Sequence, residues 1–376
     1  MPHTAEIAPY SDQDVRAVVD RLSQDPELIH AVGRLRFKRL YPMLRPFLAK
    51  RIQRTLTRHG AGIHTVRQFQ EALEPMLASI LQKTTETFTV SGLEHLSKDQ
   101  AYLFLSNHRD IAMDPAFVNW ALYNGGFDTV RIAIGDNLIS QPFVADLMRL
   151  NKSFIVKRNV SGPREMLQTY STLSNYIRQS IEEGQSVWIA HREGRAKDGI
   201  DRTDPAILKM LAMAGKSRSE GFDAALSALH IVPVSISYEF DPCATAKARE
   251  LTITETKGQY QKQPGEDVKS IATGITGWKG RVHLHFGTPL SSIDSDASAL
   301  SARIDRDIIL GQKIFDTARY AESLLTGQSS FPDLHPDVVS RFKKLLAHTP
   351  EAYRRKLLEI YANPLRQFTL HQKREL

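Results

Sequence analysis

The chain has 376 residues, 41% of them hydrophobic and 8% aromatic, which are the proportions of an ordinary globular protein, and its formal net charge is +7. It contains no apolar run of about 18 residues, which argues against a membrane-spanning helix. The single cysteine, Cys243, excludes an intramolecular disulfide and a cysteine-rich zinc site. Residues 1–6 have neither the charged nor the apolar region of a signal peptide, so we expect a cytoplasmic protein.

The positive charge is concentrated in residues 28–70, which contain ten Lys or Arg and no Asp or Glu; the rest of the chain has 39 basic and 42 acidic residues, a net charge of −3. Between Phe37 and Ile52, large apolar residues alternate with these cations. This pattern is typical of a helix that lies on an anionic membrane surface. Two other interpretations stay open: a helix that packs its apolar side on the protein and exposes its cations, and a segment that binds nucleic acid.

Residues 1–85 are predicted to be helical, because Asp12–Leu22 and Val66–Gln82 carry apolar residues at steps of three and four. From Glu86 the period changes to short β-like runs, and beyond Asp294 it is helical again. We therefore predict a helical N-terminal region over residues 1–85, an α/β domain over 86–292 and a helical C-terminal region over 293–376.

The middle region alternates predicted strands with predicted helices. The strands are predicted at Glu86–Val90, Ala101–Leu105, Val130–Ile134, Phe154–Val156, Ser186–Ala190, Ile231–Ser237, Leu251–Glu255 and Val282–Phe286. Helices are predicted between the earlier strands, at Pro115–Tyr123, Gln141–Leu150 and Pro163–Glu183. The alternation predicts an α/β fold with a largely parallel central sheet flanked by helices, with helical N- and C-terminal extensions. Functional residues are then expected at the carboxyl ends of the strands.

The second predicted strand runs into the sequence Ser-Asn-His-Arg-Asp-Ile-Ala-Met-Asp-Pro, residues 106–115. A histidine with nearby carboxylates suits a general base and its orienting partner, because imidazole takes up a proton near neutral pH and a carboxylate fixes its tautomer. A purely structural interpretation is also open, in which Asp110 caps a helix and His108 lies in a loop. There is no Gly-x-Ser-x-Gly elbow, so Ser106 and Ser153 are the weaker candidates for a nucleophile.

Three further blocks follow in the sequence. Gly135-Asp136-Asn137-Leu138 leads to a run that ends in Phe-Ile-Val-Lys-Arg at residue 158, Glu-Gly-Arg occupies 193–195, and Val-Pro-Val-Ser-Ile occupies 232–236. In this order, over roughly residues 86–290, the four blocks resemble those of the glycerolipid acyltransferases, the family of glycerol-3-phosphate and lysophosphatidate acyltransferases. Each block alone is unspecific, but four in register are a specific signal.

The resemblance implies the residues of the site. It assigns catalysis to His108 and an aspartate, and acceptor binding to Arg158 and to Glu193, Gly194 and Arg195; guanidinium groups suit a phosphate, which they bind bidentately. The family has four residues between the histidine and the aspartate, whereas this chain has five before Asp114. We predict a one-residue bulge with Asp114 as the partner, and Asp110 is the alternative.

The resemblance also implies the reaction. It is acyl transfer from acyl-CoA or an acylated carrier protein to the hydroxyl of a glycerolipid phosphate, with His108 as general base and no acyl-enzyme, metal or bound cofactor. Lysophosphatidate is the leading acceptor and glycerol 3-phosphate the alternative. The implied partners are the phospholipid precursor, the acyl thioester, the membrane surface at its cytoplasmic face and, as a further candidate, acyl carrier protein, with no nucleic acid. A non-catalytic membrane lipid-binding protein is the alternative from another class.

Overall fold

The computed structural model describes residues 7–373 except 38–39, 140, 159, 217, 328–330 and 332. The N-terminal stretch considered for a signal peptide, residues 1–6, and two cations of the basic segment, Lys38 and Arg39, lie outside the described residues. Among the helices in the described part of the chain, none is both long and apolar enough to cross a membrane.

The described residues form seven strands, five of them in a larger compact unit and two in a smaller one. The strands are β1 Thr87–Ser91, β2 Leu103–Ser106, β3 Arg131–Gly135, β4 Ser153–Val156, β5 Val187–Ala190, β6 Ile231–Tyr238 and β7 Arg281–Phe286. The larger unit comprises Ile80–Val130 and the described residues from Leu167 onward; the smaller unit comprises the described residues up to Ser79 together with Arg131–Met166.

Helices fill the chain before, between and after the strands. They are α1 Asp12–Gln24, α2 Pro26–Phe37, α3 Leu40–Met43, α4 Arg45–Gly60, α5 Val66–Thr84, α6 Met113–Asn124, α7 Pro142–Leu150, α8 Pro163–Glu182, α9 Pro205–Leu211, α10 Met213–Lys216, α11 Phe222–Ser227, α12 Ala244–Lys257, α13 Glu266–Thr276, α14 Ala297–Leu310, α15 Asp316–Thr326, α16 Pro336–His348 and α17 Glu351–Gln372.

In the larger unit the strand order is β1-β7-β6-β2-β5. All neighbouring strands are parallel except β6 and β7, which are antiparallel. β2 lies between β6 and β5, and Leu103, Phe104 and Leu105 are at most 1% exposed, as expected for a central strand covered on both faces. The predicted α/β class with a largely parallel sheet flanked by helices is confirmed, and the chain segment after β2 begins at the carboxyl edge of this sheet.

The smaller unit contains the parallel pair β3–β4 and the N-terminal helices. Apolar residues of α1, α5 and α7 form one core, which includes Val15, Leu22, Phe69 and Leu150. A second cluster joins α2, α3 and α4 through Ile29, Tyr41, Leu48 and Ile52. Part of the basic segment therefore packs its apolar residues inside the protein.

The strand prediction at Leu251–Glu255 was wrong, because these residues belong to α12. The β-branched run Leu-Thr-Ile-Thr suggested a strand, but the helix buries Ala244 and Ala248, one turn apart, in a core with residues of α15, α16 and α17. Thr252 also donates its hydroxyl to the Ala248 carbonyl, 2.8 Å away, which is a helical side-chain contact. Tertiary packing decides the conformation here over β-propensity.

The compact units cut the chain differently from the three regions predicted from sequence. Residues 131–166 group with the N-terminal helices, and the described C-terminal helices group with the larger sheet. The division at residues 85/86 and 292/293 stays a prediction about domain organisation.

Candidate active site

Asn107 fixes the segment that leaves β2. Its side-chain oxygen accepts a hydrogen bond from the Ile236 N–H at 2.8 Å, and its Nδ2 donates to the Ile236 carbonyl at 3.2 Å. The amide thus pairs with the backbone of the neighbouring strand β6, as another strand would. As a result, Asn107, the residue just before His108, is anchored at the carboxyl edge of the sheet, and His108 begins the loop that follows.

His108 and Asp114 form a hydrogen-bonded pair. His108 Nδ1 lies 2.8 Å from Asp114 Oδ2, so the two predicted catalytic residues are brought together. The same oxygen accepts the backbone N–H of Arg109 at 2.5 Å and that of Asp110 at 3.0 Å. The extra residue between His108 and Asp114 is accommodated because the loop wraps around the carboxylate and points two of its N–H groups at it.

The Asp114 carboxylate is fully buried and well satisfied. Its second oxygen accepts the hydroxyl of Tyr238 at 2.7 Å. Burial raises the pKa of Asp114, but the hydrogen bonds from His108 and Tyr238 and the charge of His108 outweigh burial and hold that pKa below its ordinary value. An ionised carboxylate on Nδ1 is the arrangement that orients an imidazole and stabilises its cation.

Asp110, the alternative partner, has a different contact set. Its Oδ1 accepts the backbone N–H groups of Ala112 at 3.0 Å and Met113 at 2.9 Å, at the start of α6. Burial and the nearby charge of Asp114 raise the pKa of Asp110. The hydrogen bond to the His108 imidazole therefore belongs to Asp114, and Asp110 holds the backbone just before and at the start of α6.

The His108 ring also packs against Trp188 of β5. The ring centroids are 5.5 Å apart in an edge-to-face arrangement, and the His108 side chain is 14% exposed. No residue in the described part of the chain hydrogen-bonds Nε2 of His108. The nitrogen that a general base uses is accordingly not occupied by another described side chain.

The Glu193–Arg195 turn is tied to the His108 loop. The next residue, Ala196, donates its N–H to the His108 carbonyl at 2.8 Å. Gly194 has φ of +73°, a conformation that favours glycine, and a Cβ there would meet no atom within 4 Å. This turn therefore leaves β5 next to the His108–Asp114 pair, which brings three of the four predicted acceptor-binding residues to the same edge of the sheet.

Arg158 belongs to the smaller unit, where it follows β4 and is exposed. Its backbone N–H donates to Asp136 Oδ1 at 3.4 Å, and its guanidinium lies against Gly135, where an added Cβ would be 2.4 Å from Nε. The glycine of the predicted Gly135-Asp136 block thus makes room for the arginine side chain. The role of Arg158 in acceptor binding stays a prediction.

Two polar residues of the site were missed by sequence reasoning. Tyr238 ends β6, and Asp201 follows β5 by eleven positions; both meet the His108 loop only through the fold. The one sequence signal for Tyr238 is a polar residue at the carboxyl end of an apolar strand. Asp201 has no comparable signal, because it lies within a polar loop.

The two histidines of β7 are engaged elsewhere. His283 contacts the hydroxyls of Thr89 and Ser91 at 2.8 and 3.2 Å, and His285 contacts Ser91 at 2.8 Å. Within the described ranges, no group of three or more His, Cys, Asp or Glu is arranged to hold a metal ion.

Residues 87–237 match the family model described as Acyltransferase. The matched segment runs from β1 to nearly the end of β6 and contains His108, Asp114 and the Glu193–Arg195 turn. The predicted resemblance to the acyltransferase family is confirmed over this segment.

No curated protein matches the chain. A solved structure similar to it is that of the 1-acyl-sn-glycerophosphate (LPA) acyltransferase PlsC from Thermotoga maritima. The sequence identity is 15%, the match covers 70% of this chain and 84% of that chain, and the TM-score is 0.32.

Proposed function

We propose that this protein transfers a fatty acyl group from acyl-CoA or an acylated carrier protein to the hydroxyl of a glycerolipid phosphate. Lysophosphatidate, which would give phosphatidate, is the favoured acceptor, and glycerol 3-phosphate is the second. The observation that carries the proposal is the 2.8 Å contact between His108 Nδ1 and the buried Asp114 carboxylate inside an acyltransferase domain.

The reaction follows from the chemistry of this pair. His108 Nε2 takes the proton of the acceptor hydroxyl as that oxygen attacks the thioester carbonyl, and the carboxylate of Asp114 stabilises the resulting imidazolium. The tetrahedral intermediate then expels the thiolate, which takes the proton from the imidazolium. One C–O bond forms, one C–S bond breaks, and His108 returns to its starting state.

Neither candidate serine is suited to form an acyl-enzyme, which favours direct attack by the acceptor hydroxyl. Ser106 is fully buried, and its hydroxyl donates to the Asn107 carbonyl at 2.7 Å. Ser153 is 1% exposed and lies in the smaller unit. Neither serine has the exposed hydroxyl beside a base that a nucleophile requires.

The acceptor phosphate is assigned to the two arginines of the family motifs, Arg195 and Arg158. Arg195 belongs to the turn that Ala196 ties to the His108 carbonyl, and Glu193 in the same turn has the carboxylate to accept a hydrogen bond from an acceptor hydroxyl. Arg158 is assigned to the phosphate as well. A guanidinium is suited to this task because its fork matches two phosphate oxygens.

A membrane surface is the proposed place of the reaction, supported by the exposed side of α3 and α4. Four large apolar side chains project into solvent there, with exposed fractions from 50% to 79%: Leu40, Met43, Leu44 and Phe47. One exposed face of α4 continues with the cations Lys50, Arg51, Arg54 and Arg58. Apolar insertion beside a basic stripe is what an anionic bilayer recognises. We refer to these eight residues as the basic-apolar face.

The proposal is tested by free-thiol release from acyl-CoA and from an acylated carrier protein. Lysophosphatidate, glycerol 3-phosphate or no acceptor is added, and the lipid product is identified by mass spectrometry. We expect release that depends on the acceptor and yields phosphatidate with lysophosphatidate. If no thiol is released with either acceptor and either donor, the proposal is contradicted, and a protein that only binds lipid is favoured.

A further inference from the structure

Asp201, in the loop after β5, collects three side-chain hydrogen bonds on one oxygen of its buried carboxylate. Oδ2 accepts Asn107 Nδ2 at 3.0 Å, Arg109 Nη2 at 2.6 Å and Gln312 Nε2 at 2.5 Å. Asn107 and Arg109 are the residues immediately before and after His108. A single carboxylate therefore holds both chain neighbours of the proposed general base.

The backbone of Asp201 is in turn fixed by the last helix. Its N–H donates to Gln367 Oε1 at 2.8 Å, and Gln367 Nε2 donates to its carbonyl at 2.9 Å. Gln367 belongs to α17, and Gln312 lies just beyond the end of α14. The C-terminal helices thus reach the His108 loop through Asp201.

The charge of Asp201 has a specific counterpart. The Arg109 side chain is 11% exposed, and a buried cation without a partner is costly. His191 Nε2 lies 3.9 Å from the other oxygen of Asp201, but burial lowers the pKa of His191 to about 4, so this imidazole is neutral near pH 7. The carboxylate of Asp201 and the guanidinium of Arg109 therefore balance each other.

We propose that Asp201 is a positioning residue of the acyl transfer: by holding Asn107 and Arg109 it sets the place of His108, without touching the reacting atoms. The inference rests on the proposed function, since it assigns Asp201 to the same general base. A misplaced base weakens the transition state more than it weakens substrate binding, so the loss should fall on kcat with little change in KM.

The experiment compares Asp201→Ala and Asp201→Asn with wild type, with turnover expressed per folded molecule. Alanine removes the acceptor of all three hydrogen bonds, and we expect kcat to fall by about 10²-fold with each KM within about twofold. Asparagine keeps one oxygen that can accept the same hydrogen bonds, and we expect it to recover at least about tenfold of that loss. A residue that only stabilises the fold would lower the folded fraction and leave kcat per folded molecule unchanged.

Asp204→Ala is the matched control. Asp204 is a carboxylate in the same loop that caps α9 by accepting the Ala206 N–H at 2.8 Å. Losing this cap should cost about 1 kcal/mol of stability, with kcat per folded molecule unchanged. If Asp201→Ala fails to fold, Gln312→Leu decides, because it removes one donor and leaves the pairing with Arg109; about a fivefold fall in kcat is then expected.

Wild-type kcat per folded molecule in Asp201→Ala, or in Gln312→Leu where that variant decides, would overturn the inference and leave the proposed function intact. A loss confined to KM would overturn it as well. Absence of thiol release by the wild-type protein would instead overturn the proposed function and, with it, the role assigned to Asp201.

Discussion

His191 has a fully buried imidazole, whose Nδ1 lies 3.3 Å from the hydroxyl of Thr203. Burial is the main cause that lowers the pKa of His191 from 6.5 to about 4. Between these two pH values the unfolded chain binds a proton that the folded protein does not. The stability that His191 contributes is therefore fully present above about pH 6.5 and is lost as the pH falls towards 4.

We expect His191→Gln to flatten this dependence. Burial raises the pKa of Asp305 to about 6, and its protonation has the opposite effect on stability. Because wild type and variant both contain Asp305, the difference between their pH slopes reports the contribution of His191. Urea unfolding at pH 5, 6 and 7 measures the slopes. Between pH 6 and 5 the free energy of unfolding of wild type should fall more steeply, by about 1 kcal/mol per pH unit. Equal slopes would show that this imidazole is not the source.

Arg158 and Lys157 offer a matched pair of adjacent cations at the end of β4. If Arg158 binds the acceptor phosphate, Arg158→Ala should raise the acceptor KM by about tenfold, the effect of losing one charged hydrogen-bonding partner. The thioester KM should change little, and Lys157→Ala should leave both values near wild type. Steady-state kinetics with each substrate varied would show this; equal effects of the two variants would remove Arg158 from the acceptor site.

At the scale of an element, the loop between β5 and α9 is shaped by two glycines with similar backbone angles. Gly194 has φ of +73° and open space where a Cβ would lie, whereas Gly199 has φ of +76° and would place a Cβ 2.2 Å from the Ile360 carbonyl oxygen of α17. Both conformations disfavour other residues, but only the second position is also blocked by backbone.

Alanine at these two glycines should therefore have different costs. Gly194→Ala should destabilise the protein by about 1–2 kcal/mol, the cost of a left-handed conformation. Gly199→Ala should cost more than about 3 kcal/mol, because either the loop or α17 must move in addition. Chemical unfolding of both variants measures the difference. Equal costs would mean that the loop is not docked on the last helix in the way described.

Much of the element pattern could be predicted from sequence, and the exceptions have physical reasons. Strands such as β2 and β5 were visible because they are short apolar runs bounded by turns or helix starts, and β7 was visible because its apolar and polar residues alternate. The strand prediction at Leu251–Glu255 was wrong because its β-branched residues lie on a helix that tertiary packing stabilises. The short helices α9, α10 and α11 were missed because four to seven residues carry too little periodicity.

For the whole molecule, the proposed membrane binding depends on the basic-apolar face. We expect the protein to float with vesicles that contain anionic lipid and to bind neutral vesicles less, because cations near the surface each add about 1 kcal/mol. Met43→Ser with Phe47→Ser should weaken binding to both kinds of vesicle. Arg51→Glu with Arg54→Glu should abolish the preference for anionic lipid.

The control for these variants is a pair of exposed leucines on other helices. Leu324 on α15 is 42% exposed and Leu370 on α17 is 53% exposed, and neither belongs to the basic-apolar face. Leu324→Ser with Leu370→Ser should leave flotation unchanged. Wild-type flotation by both variants of the basic-apolar face would contradict the assignment of this surface to the membrane.

The candidate site was predictable as far as its residues are close in sequence. His108 and Asp114 are six positions apart, and their pairing could be expected from one motif despite the extra residue. Tyr238 and Asp201 reach the same loop from 124 and 94 positions away, measured from Asp114 and Asn107 respectively. Spacing carries no information about such contacts, which arise only when β6 and the loop after β5 are placed beside β2.

The most direct test of the central claim is the turnover of His108→Gln, with His95→Gln as the control for replacing a histidine elsewhere in the larger unit. His95 is 45% exposed on a short turn and takes no part in the site. With lysophosphatidate and acyl-CoA, we predict a fall in kcat of about 10²–10⁴-fold for His108→Gln and wild-type turnover for His95→Gln. Wild-type turnover by folded His108→Gln would contradict a general-base role for His108.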